Sequence, residues 1–256
     1  MRVAYNTGFK APQTFDEDLH IESLGGNQRV VRNASDLEPE RSQSLSGGLE
    51  YEGYVGDHAL LAGATVFYTR LSGTFTQVKL AEQTDDLVLW QRSNGGGAYL
   101  YGIEADFGFK PTRASEIRLG ITYKQSAYNT AQEVFANVFS DQFLRTPDVY
   151  GYLRASLDVT ESFNLFSAAK YTGTMHVPNE TDATIVKTSD TFLVLDTGLQ
   201  WQFPFTTSFD GNLAFGVKNI TNAYQNDLQR GMDRDPAYVY GPQLPRRIYG
   251  SLEISF

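Results

Sequence analysis

The stretch Ser115-Glu116-Ile117-Arg118-Leu119-Gly120-Ile121-Thr122-Tyr123-Lys124 decides the fold class. Ile117, Leu119, Ile121 and Tyr123 fall on one parity. Glu116, Arg118, Thr122 and Lys124 fall on the other. Side chains of a β-strand point alternately to opposite faces, so a period of two marks a strand with one apolar and one polar face. The same period recurs on both sides of this stretch. Ile103, Ala105, Phe107 and Phe109 alternate with Gly102, Glu104, Asp106 and Lys110. Leu153, Ala155 and Leu157 alternate with Tyr152, Arg154, Ser156 and Asp158. Leu193, Leu195, Leu199 and Trp201 oppose Asp196, Gln200 and Gln202. Continued along the chain, the pattern gives ten strands, at 1–8, 41–53, 58–75, 98–110, 115–127, 148–158, 162–175, 190–203, 210–218 and 247–256. The third is the least clean, because both parities are apolar at Leu60 and Leu61. Ten strands and no helical period make the chain all-β.

Composition narrows the environment. Among 256 residues, 13% are aromatic, which excludes a disordered chain. There is no Cys, which removes disulfide frameworks, thiolate metal sites and Cys nucleophiles together. The net charge of −9 disfavours a nucleic-acid partner, which needs a basic face. No window approaches the run of about 18 apolar residues that a transmembrane helix needs. The amino terminus, Met1-Arg2-Val3-Ala4-Tyr5, carries no leader pattern.

Alternation alone suits either a soluble sandwich or a membrane barrel. Connection lengths separate the two. The links near Val55, Thr112, Thr160 and Phe205 are short, whereas those at 9–40, 76–97, 128–147, 176–189 and 219–246 are long. Long and short alternate without exception. In an up-and-down meander every long loop then emerges at one end, as in outer-membrane barrels. Soluble domains rarely carry several structureless loops beyond about 12–15 residues. Most strands also have the roughly 9–11 residues that a tilted strand needs to cross the hydrocarbon layer. Tyr51, Tyr54, Phe107, Phe109, Phe163, Trp201, Phe203, Phe205 and Phe256 sit near strand ends, where aromatic girdles form. The reading is therefore an antiparallel up-and-down transmembrane β-barrel of about ten strands. The last strand places Ile248, Leu252, Ile254 and Phe256 on one parity and ends on an aromatic residue, which resembles the sorting signature of bacterial outer-membrane barrels.

Several blocks together resemble the carboxy-terminal barrel of TonB-dependent outer-membrane receptors. They are Tyr5-Asn-Thr-Gly-Phe-Lys-Ala-Pro-Gln-Thr-Phe15, Asp18-Leu-His20 and Leu37-Glu-Pro-Glu-Arg-Ser42, followed by Tyr101-Gly-Ile-Glu104 and Phe143-Leu-Arg-Thr-Pro147. Gly216-Val-Lys-Asn-Ile-Thr-Asn-Ala-Tyr224 and the run from Tyr240-Gly-Pro through Pro245-Arg-Arg-Ile-Tyr249 to Phe256 complete the set. The resemblance implies a barrel of about 22 strands plugged by an amino-terminal domain. Residues 1–256 would then be the last ten strands, with the plug and the earlier strands absent. A truncated chain, a split gene or a late start would each give that. A small barrel that closes on itself, with a radius of roughly 10 Å, is the alternative.

The candidate site residues are weighed against plainer roles. His20, His58 and His176 show no metal or catalytic spacing, and Asn94-Gly95-Gly96-Gly97 precedes a strand rather than a helix, so it is no phosphate loop. Asp16-Glu17-Asp18, Asp233 and Asp235 match no complete calcium site. No metal and no cofactor is expected. Glu104, Arg118, Arg154, Lys170 and Asp196 lie on the polar parity and would line the lumen; Glu40-Arg41 reads as structural. Binding is expected on the long loops. There Trp90, Arg92 and Tyr99 form one group, and Tyr224, Arg230, Arg234, Tyr238 and Tyr240 another. Aromatic and Arg side chains supply the contact area and directed hydrogen bonds that dominate binding hot spots.

The resemblance implies a receptor in the bacterial outer membrane for energy-coupled uptake of a scarce nutrient such as siderophore-iron or cobalamin, not an enzyme. It implies as partners the missing plug, TonB acting through that plug with its inner-membrane energy complex, the barrel-assembly machinery, and outer-membrane lipid with lipopolysaccharide. Two other classes stay open on the residues alone. One is a ten-stranded outer-membrane protease using His176 and loop acids. The other is a soluble β-sandwich binding module.

Overall fold

The computed structural model describes residues 1–13, 28–84, 87–135, 138–179, 185–206, 209–232, 234–235 and 238–255. Sixteen strands are present among them. In chain order they are β1 (Arg2–Lys10), β2 (Gln28–Asn33), β3 (Glu40–Val55), β4 (His58–Ser72), β5 (Phe75–Thr84), β6 (Leu87–Asn94), β7 (Ala98–Thr112) and β8 (Ser115–Phe135). The rest are β9 (Val138–Gln142), β10 (Val149–Asp158), β11 (Phe163–Thr172), β12 (His176–Asn179), β13 (Ile185–Thr188), β14 (Phe192–Thr206), β15 (Phe209–Lys218) and β16 (Arg247–Ser255).

The ten strands expected from the period of two form one antiparallel sheet in the order β1-β3-β4-β7-β8-β10-β11-β14-β15-β16, with β9 pairing only the far end of β8. Each strand pairs with its sequence neighbour, as a meander requires. Short turns and long connections alternate as expected. Gly56 and Asp57 join β3 to β4, with Gly56 at φ +63°, a left-handed value that favours glycine in a tight hairpin. The pairing is a path and not a ring: among the described residues β1 pairs only with β3, and β16 only with β15.

The register aligns the two parities across the whole sheet. Phe107 stands opposite Leu119, which stands opposite Leu153. Leu157 is opposite Leu165, then Leu199, then Phe215. Leu213 is opposite Leu252. These side chains are uncovered: Ile121 is 49% exposed and Phe215 60%. The other parity carries Glu104, Asp106, Arg118, Tyr152, Arg154, Lys170 and Asp196. Grooves of about 640 and 580 Å³ open on it. The five charged residues expected to line the lumen thus share one face. Leu60 and Leu61 split between the faces. Leu60 pairs with Phe109 on the apolar side, and Leu61 pairs with Gly108 on the polar side.

On the polar face, rings lie over glycines directly opposite them: Phe67 over Gly102, Tyr152 over Gly120, Phe166 over Gly198 and Tyr249 over Gly216. A side chain at Gly120 would occupy the space of the Tyr152 ring. The glycines let large residues lie flat on this face.

The buried apolar residues sit elsewhere. Leu89, Ala98, Ala127, Met175, Val177, Phe192 and Tyr238 all lie at the loop end or in the loops. A sandwich would bury the apolar parity between two sheets. Here one sheet leaves it bare, and the soluble-sandwich reading finds no second layer among the described residues.

The long connections depart from the expectation of structureless loops. Four of the five hold strands: β2 in the first, β5 and β6 in the second, the extension of β8 to Phe135 with β9 in the third, and β12 and β13 in the fourth. β6 is the centre of a separate three-stranded sheet, antiparallel to β5 and parallel to β2 from a different connection. A pairing between two loops leaves no local turn signal in either. The last connection, 219–246, contains no strand among the described residues. β4 ends at Ser72 rather than 75, where Gly73 turns the chain at φ +63°.

Candidate functional site

All five long connections gather at one end of the sheet. Their bases are fixed by side chains that take the place of backbone partners. Asn219, at φ 54°, donates from its amide to the Ala223 and Leu244 carbonyls, at 2.8 and 2.9 Å. Its side-chain oxygen accepts from Ala223 N at 2.9 Å, and its own N–H donates to Asp196 Oδ1 at 2.7 Å. Asn222, at φ 53°, accepts from Arg246 N at 2.9 Å. Asparagine tolerates the left-handed region and bonds its own backbone, so the Asn-Ile-Thr-Asn run bends the chain sharply out of β15.

Beyond that bend, Gln225 is 2% exposed. Its Nε2 donates to the Tyr238 carbonyl at 3.1 Å and its Oε1 accepts from Tyr240 N at 3.0 Å. Asp227 accepts from both phenols, Tyr238 at 2.6 Å and Tyr240 at 2.7 Å. The two rings meet edge to face, with centroids 5.4 Å apart. Tyr238 packs with Met175 and Val177 beside the β12–β13 hairpin, and Lys187 Nζ lies 5.0 Å over its ring. Gln229 ties the same loop to Asn179 of β12 at 3.3 Å. The last loop is therefore a folded unit seated on its neighbour.

Partial burial pushes the Asp227 carboxyl up, but the hydrogen bonds from Tyr238, Tyr240 and Gln225 outweigh it and hold the group below the usual carboxylate range. Burial first, then the bond to Asp227, pushes the Tyr238 phenol up to about 12; the same two causes raise Tyr240. A depressed carboxyl contributes stability that is present above its unfolded value and is lost as pH falls through its folded value. A raised phenol contributes stability that is present below its ordinary 10.0 and is lost as pH climbs toward 12. The loop is therefore expected to stay closed from about pH 4 to about pH 10. Asp227→Ala should remove two charge-assisted bonds, about 1.5–3 kcal/mol of local stability. Protease nicking within 219–246 at neutral pH would report it.

The expected binding residues separate into groups. Tyr238, buried at 2%, and half-buried Tyr240 are brought together on Asp227. Tyr224, Arg230 and Arg234 stand exposed on the same loop, with Arg234 donating to the Gly231 carbonyl at 3.1 Å. Trp90 and Arg92 share one face of β6. Arg92 is 8% exposed and reaches the Gln13 carbonyl, to which Asn33 also donates. Tyr99 stands apart from them, on the apolar face of β7, stacked on Tyr101 at 6.2 Å. Gln225, Asp227 and Asn219 were not singled out from sequence. Asn219 lay within the Asn-Ile-Thr-Asn-Ala-Tyr block, whereas Gln225 and Asp227 follow it with no signal of their own.

Asn94 ties the second connection to the first and to its own start. Its amide donates to the Glu38 and Gly73 carbonyls, both at 2.8 Å, and its oxygen accepts from Glu38 N at 2.8 Å. Glu40 accepts from Phe75 N, a structural contact as expected. Arg41 differs: it has no hydrogen bond or ion pair with a described residue, and it stands on the apolar parity. His58 sits at the opposite end of the sheet, with Nδ1 2.6 Å from the Pro111 carbonyl. His176 engages through its backbone, its carbonyl accepting from Arg145 N at 2.7 Å. Among the described residues, no three His, Asp or Glu side chains converge on a common point. His20, Asp16, Glu17, Asp18, Asp233 and Phe256 lie outside the described residues.

Comparison with known structures gives chains of the same fold. The ferric enterobactin receptor of Pseudomonas aeruginosa superposes with a TM-score of 0.68 at 16% identity, covering 99% of this chain and 37% of that one. The ferric-catecholate import receptor of Escherichia coli K12 gives 0.65 at 19% identity, covering 98% and 32%. The FrpB iron transporter of Neisseria meningitidis gives 0.66 at 11% identity, covering 99% and 36%. The chain thus spans about a third of the length of these receptors. Comparison with curated proteins gives no match. The profile of the family described as TonB dependent receptor-like, beta-barrel, matches residues 1–220, most of the ten-stranded sheet and its loops, and the chain belongs to that family.

Proposed function

We propose that residues 1–256 build the carboxy-terminal part of the barrel wall of a bacterial outer-membrane receptor for energy-coupled uptake of a scarce nutrient of the ferric-siderophore class. One observation carries this reading: a ten-stranded meander with every long connection at one end and an uncovered apolar face that runs across all ten strands and carries a cation only at its loop-side rim. In water that face would be a large liability. Against acyl chains it is the expected exterior.

The loop end, with Tyr224, Arg230 and Arg234 exposed and half-buried Trp90 on a second loop layer, supplies the outward ligand contacts, while buried Arg92 holds the Gln13 carbonyl. The polar face carries charges toward the lumen, where a plug would dock. Strands outside these residues complete the wall, because lipid does not tolerate two bare edges. TonB, through the plug, would deliver the work of the inner-membrane energy complex. Ile248, Leu252, Ile254 and Phe256 would present β16 to the barrel-assembly machinery. Transport would be the work of the whole receptor, and no bond-breaking chemistry is asked of this chain.

The test is uptake of a radiolabelled ferric siderophore by cells lacking their own receptors. The complete receptor should restore uptake, and removal of TonB should abolish it. Residues 1–256 alone should give none. Uptake by this segment alone, or uptake indifferent to TonB, would overturn the proposal.

A further inference from the structure

The ten main strands carry eleven Lys and Arg residues: Arg2, Lys10, Arg41, Arg70, Lys110, Arg118, Lys124, Arg154, Lys170, Lys218 and Arg247. The register places nine of them on the polar parity. Arg41 and Arg70 alone stand on the apolar one, in line with Leu45 and with Val66 and Tyr68. Both are exposed, and neither has a hydrogen bond or ion pair with a described residue.

They are neighbours. Arg41 pairs with Ser72 and Gln43 with Arg70, so the two arginines occupy a diagonal position across β3 and β4. Diagonal side chains on one face lie about 7–8 Å apart, within reach of one shared group. Two unpartnered cations so close repel each other unless an anion joins them. Their height is also informative. Both lie within three residues of the loop-side end of their strands, and Arg70 is two residues, roughly 7 Å, beyond Tyr68. Tyr68 is opposite both Leu45 and Tyr101, and Arg70 is opposite Tyr99, whose ring stacks on Tyr101. Phe9 is opposite Arg41. The arrangement is an aromatic rim with two guanidinium groups just above it. Rings of this kind sit at headgroup level.

We infer that Arg41 and Arg70 form a binding site for the phosphate headgroup of a lipid in the outer leaflet. Guanidinium groups match phosphate oxygens bidentately, and their weak hydration suits a membrane interface. The acyl chains of the same lipid would lie along Leu45, Val66 and Ile103 below. The inference rests on the proposal that the apolar face meets lipid.

The experiment is native mass spectrometry of the complete receptor in detergent, with lipid A carrying both phosphates, with its dephosphorylated form, and with inorganic phosphate as competitor. The phosphorylated lipid should be retained about tenfold or more better than the dephosphorylated one. Arg41→Gln with Arg70→Gln should remove that preference, and Arg41→Lys with Arg70→Lys should keep most of it. Millimolar inorganic phosphate should not displace the lipid; displacement would mean a soluble-anion site and would overturn the assignment. Equal retention of the two lipids, readable on the unmodified receptor without any variant, would also overturn it while leaving the lipid-facing reading intact. Retention of neither lipid by a receptor that stays soluble without detergent would instead sink that underlying reading.

Discussion

Ile121→Arg is expected to destabilise the inserted barrel by about 2–4 kcal/mol, as a cation does on the lipid face near the bilayer midplane. Ile121 lies midway along the membrane-length part of β8, on the apolar parity, opposite Ala105 and Gly151. None of these neighbours offers an acid or a hydrogen-bond partner from its side chain. The new guanidinium would have to be buried in hydrocarbon or drag water inward. The contrast lies on the other face. Ala168 is opposite Arg154 and Asp196 on the polar parity. Ala168→Lys places its charge in a wet lumen beside a carboxylate, and should change stability by less than about 1 kcal/mol. Unfolding by urea of the complete receptor in liposomes reports both. Equal costs for the two substitutions would show that the faces are not different solvents.

Gly97→Ala is the second large effect. Gly97 has φ +93°, a region that side chains rarely adopt, and a methyl group there would lie 2.5 Å from the Leu71 carbonyl oxygen. The backbone term alone costs roughly 1–3 kcal/mol. The clash adds to it, because a strand carbonyl cannot move aside without breaking its ladder. Gly96→Ala is the matched control. Its methyl would meet only Thr130 Oγ1, at 3.2 Å, and that side chain can rotate. Gly97→Ala should therefore lower the temperature at which the folded barrel shifts to its unfolded mobility on a gel, and should loosen the junction at Asn94. Gly96→Ala should leave that temperature nearly unchanged.

The sheet was legible because its physics is local. Alternation in β7, β8, β10 and β14 follows from one face meeting a greasy medium and the other a wet one, and each strand pairs with its sequence neighbour. Loop architecture was not legible for the opposite reason. β2 pairs in parallel with β6 across a long separation. Nothing in Gln28–Asn33 by itself announces that partner. β5 and β6 are different, since Phe75, Val78 and Leu80 followed by the Leu87-Val-Leu-Trp90 run carry a strand signal that their placement in a long connection obscured.

At the candidate site only residue types were legible. Trp90, Arg92, Tyr224, Arg230 and Arg234 all look suited to contact, yet Arg92 is buried and the last three are exposed. The division of labour was not legible. Tyr238 and Tyr240 look identical in sequence to any binding tyrosine, and only the position of Asp227 between their hydroxyls ties them to the loop's own closure. Arg41 shows the same limit from the other side. Beside Glu40 it resembles half of an ion pair, but one residue along a strand reverses the face, so Glu40 holds Phe75 N while Arg41 stands on the apolar parity.

Because the chain has no Cys, a thiol introduced at any position is unique within residues 1–256. Single Cys substitutions from Ile117 to Lys124, each labelled with a fluorophore in the complete receptor in bilayers of brominated lipid, test the central claim most directly. Labels at 117, 119, 121 and 123 should be strongly quenched, and labels at 118, 120, 122 and 124 should instead respond to a water-soluble quencher. A flat profile along these eight positions, or all of them shielded from both quenchers, would contradict the account.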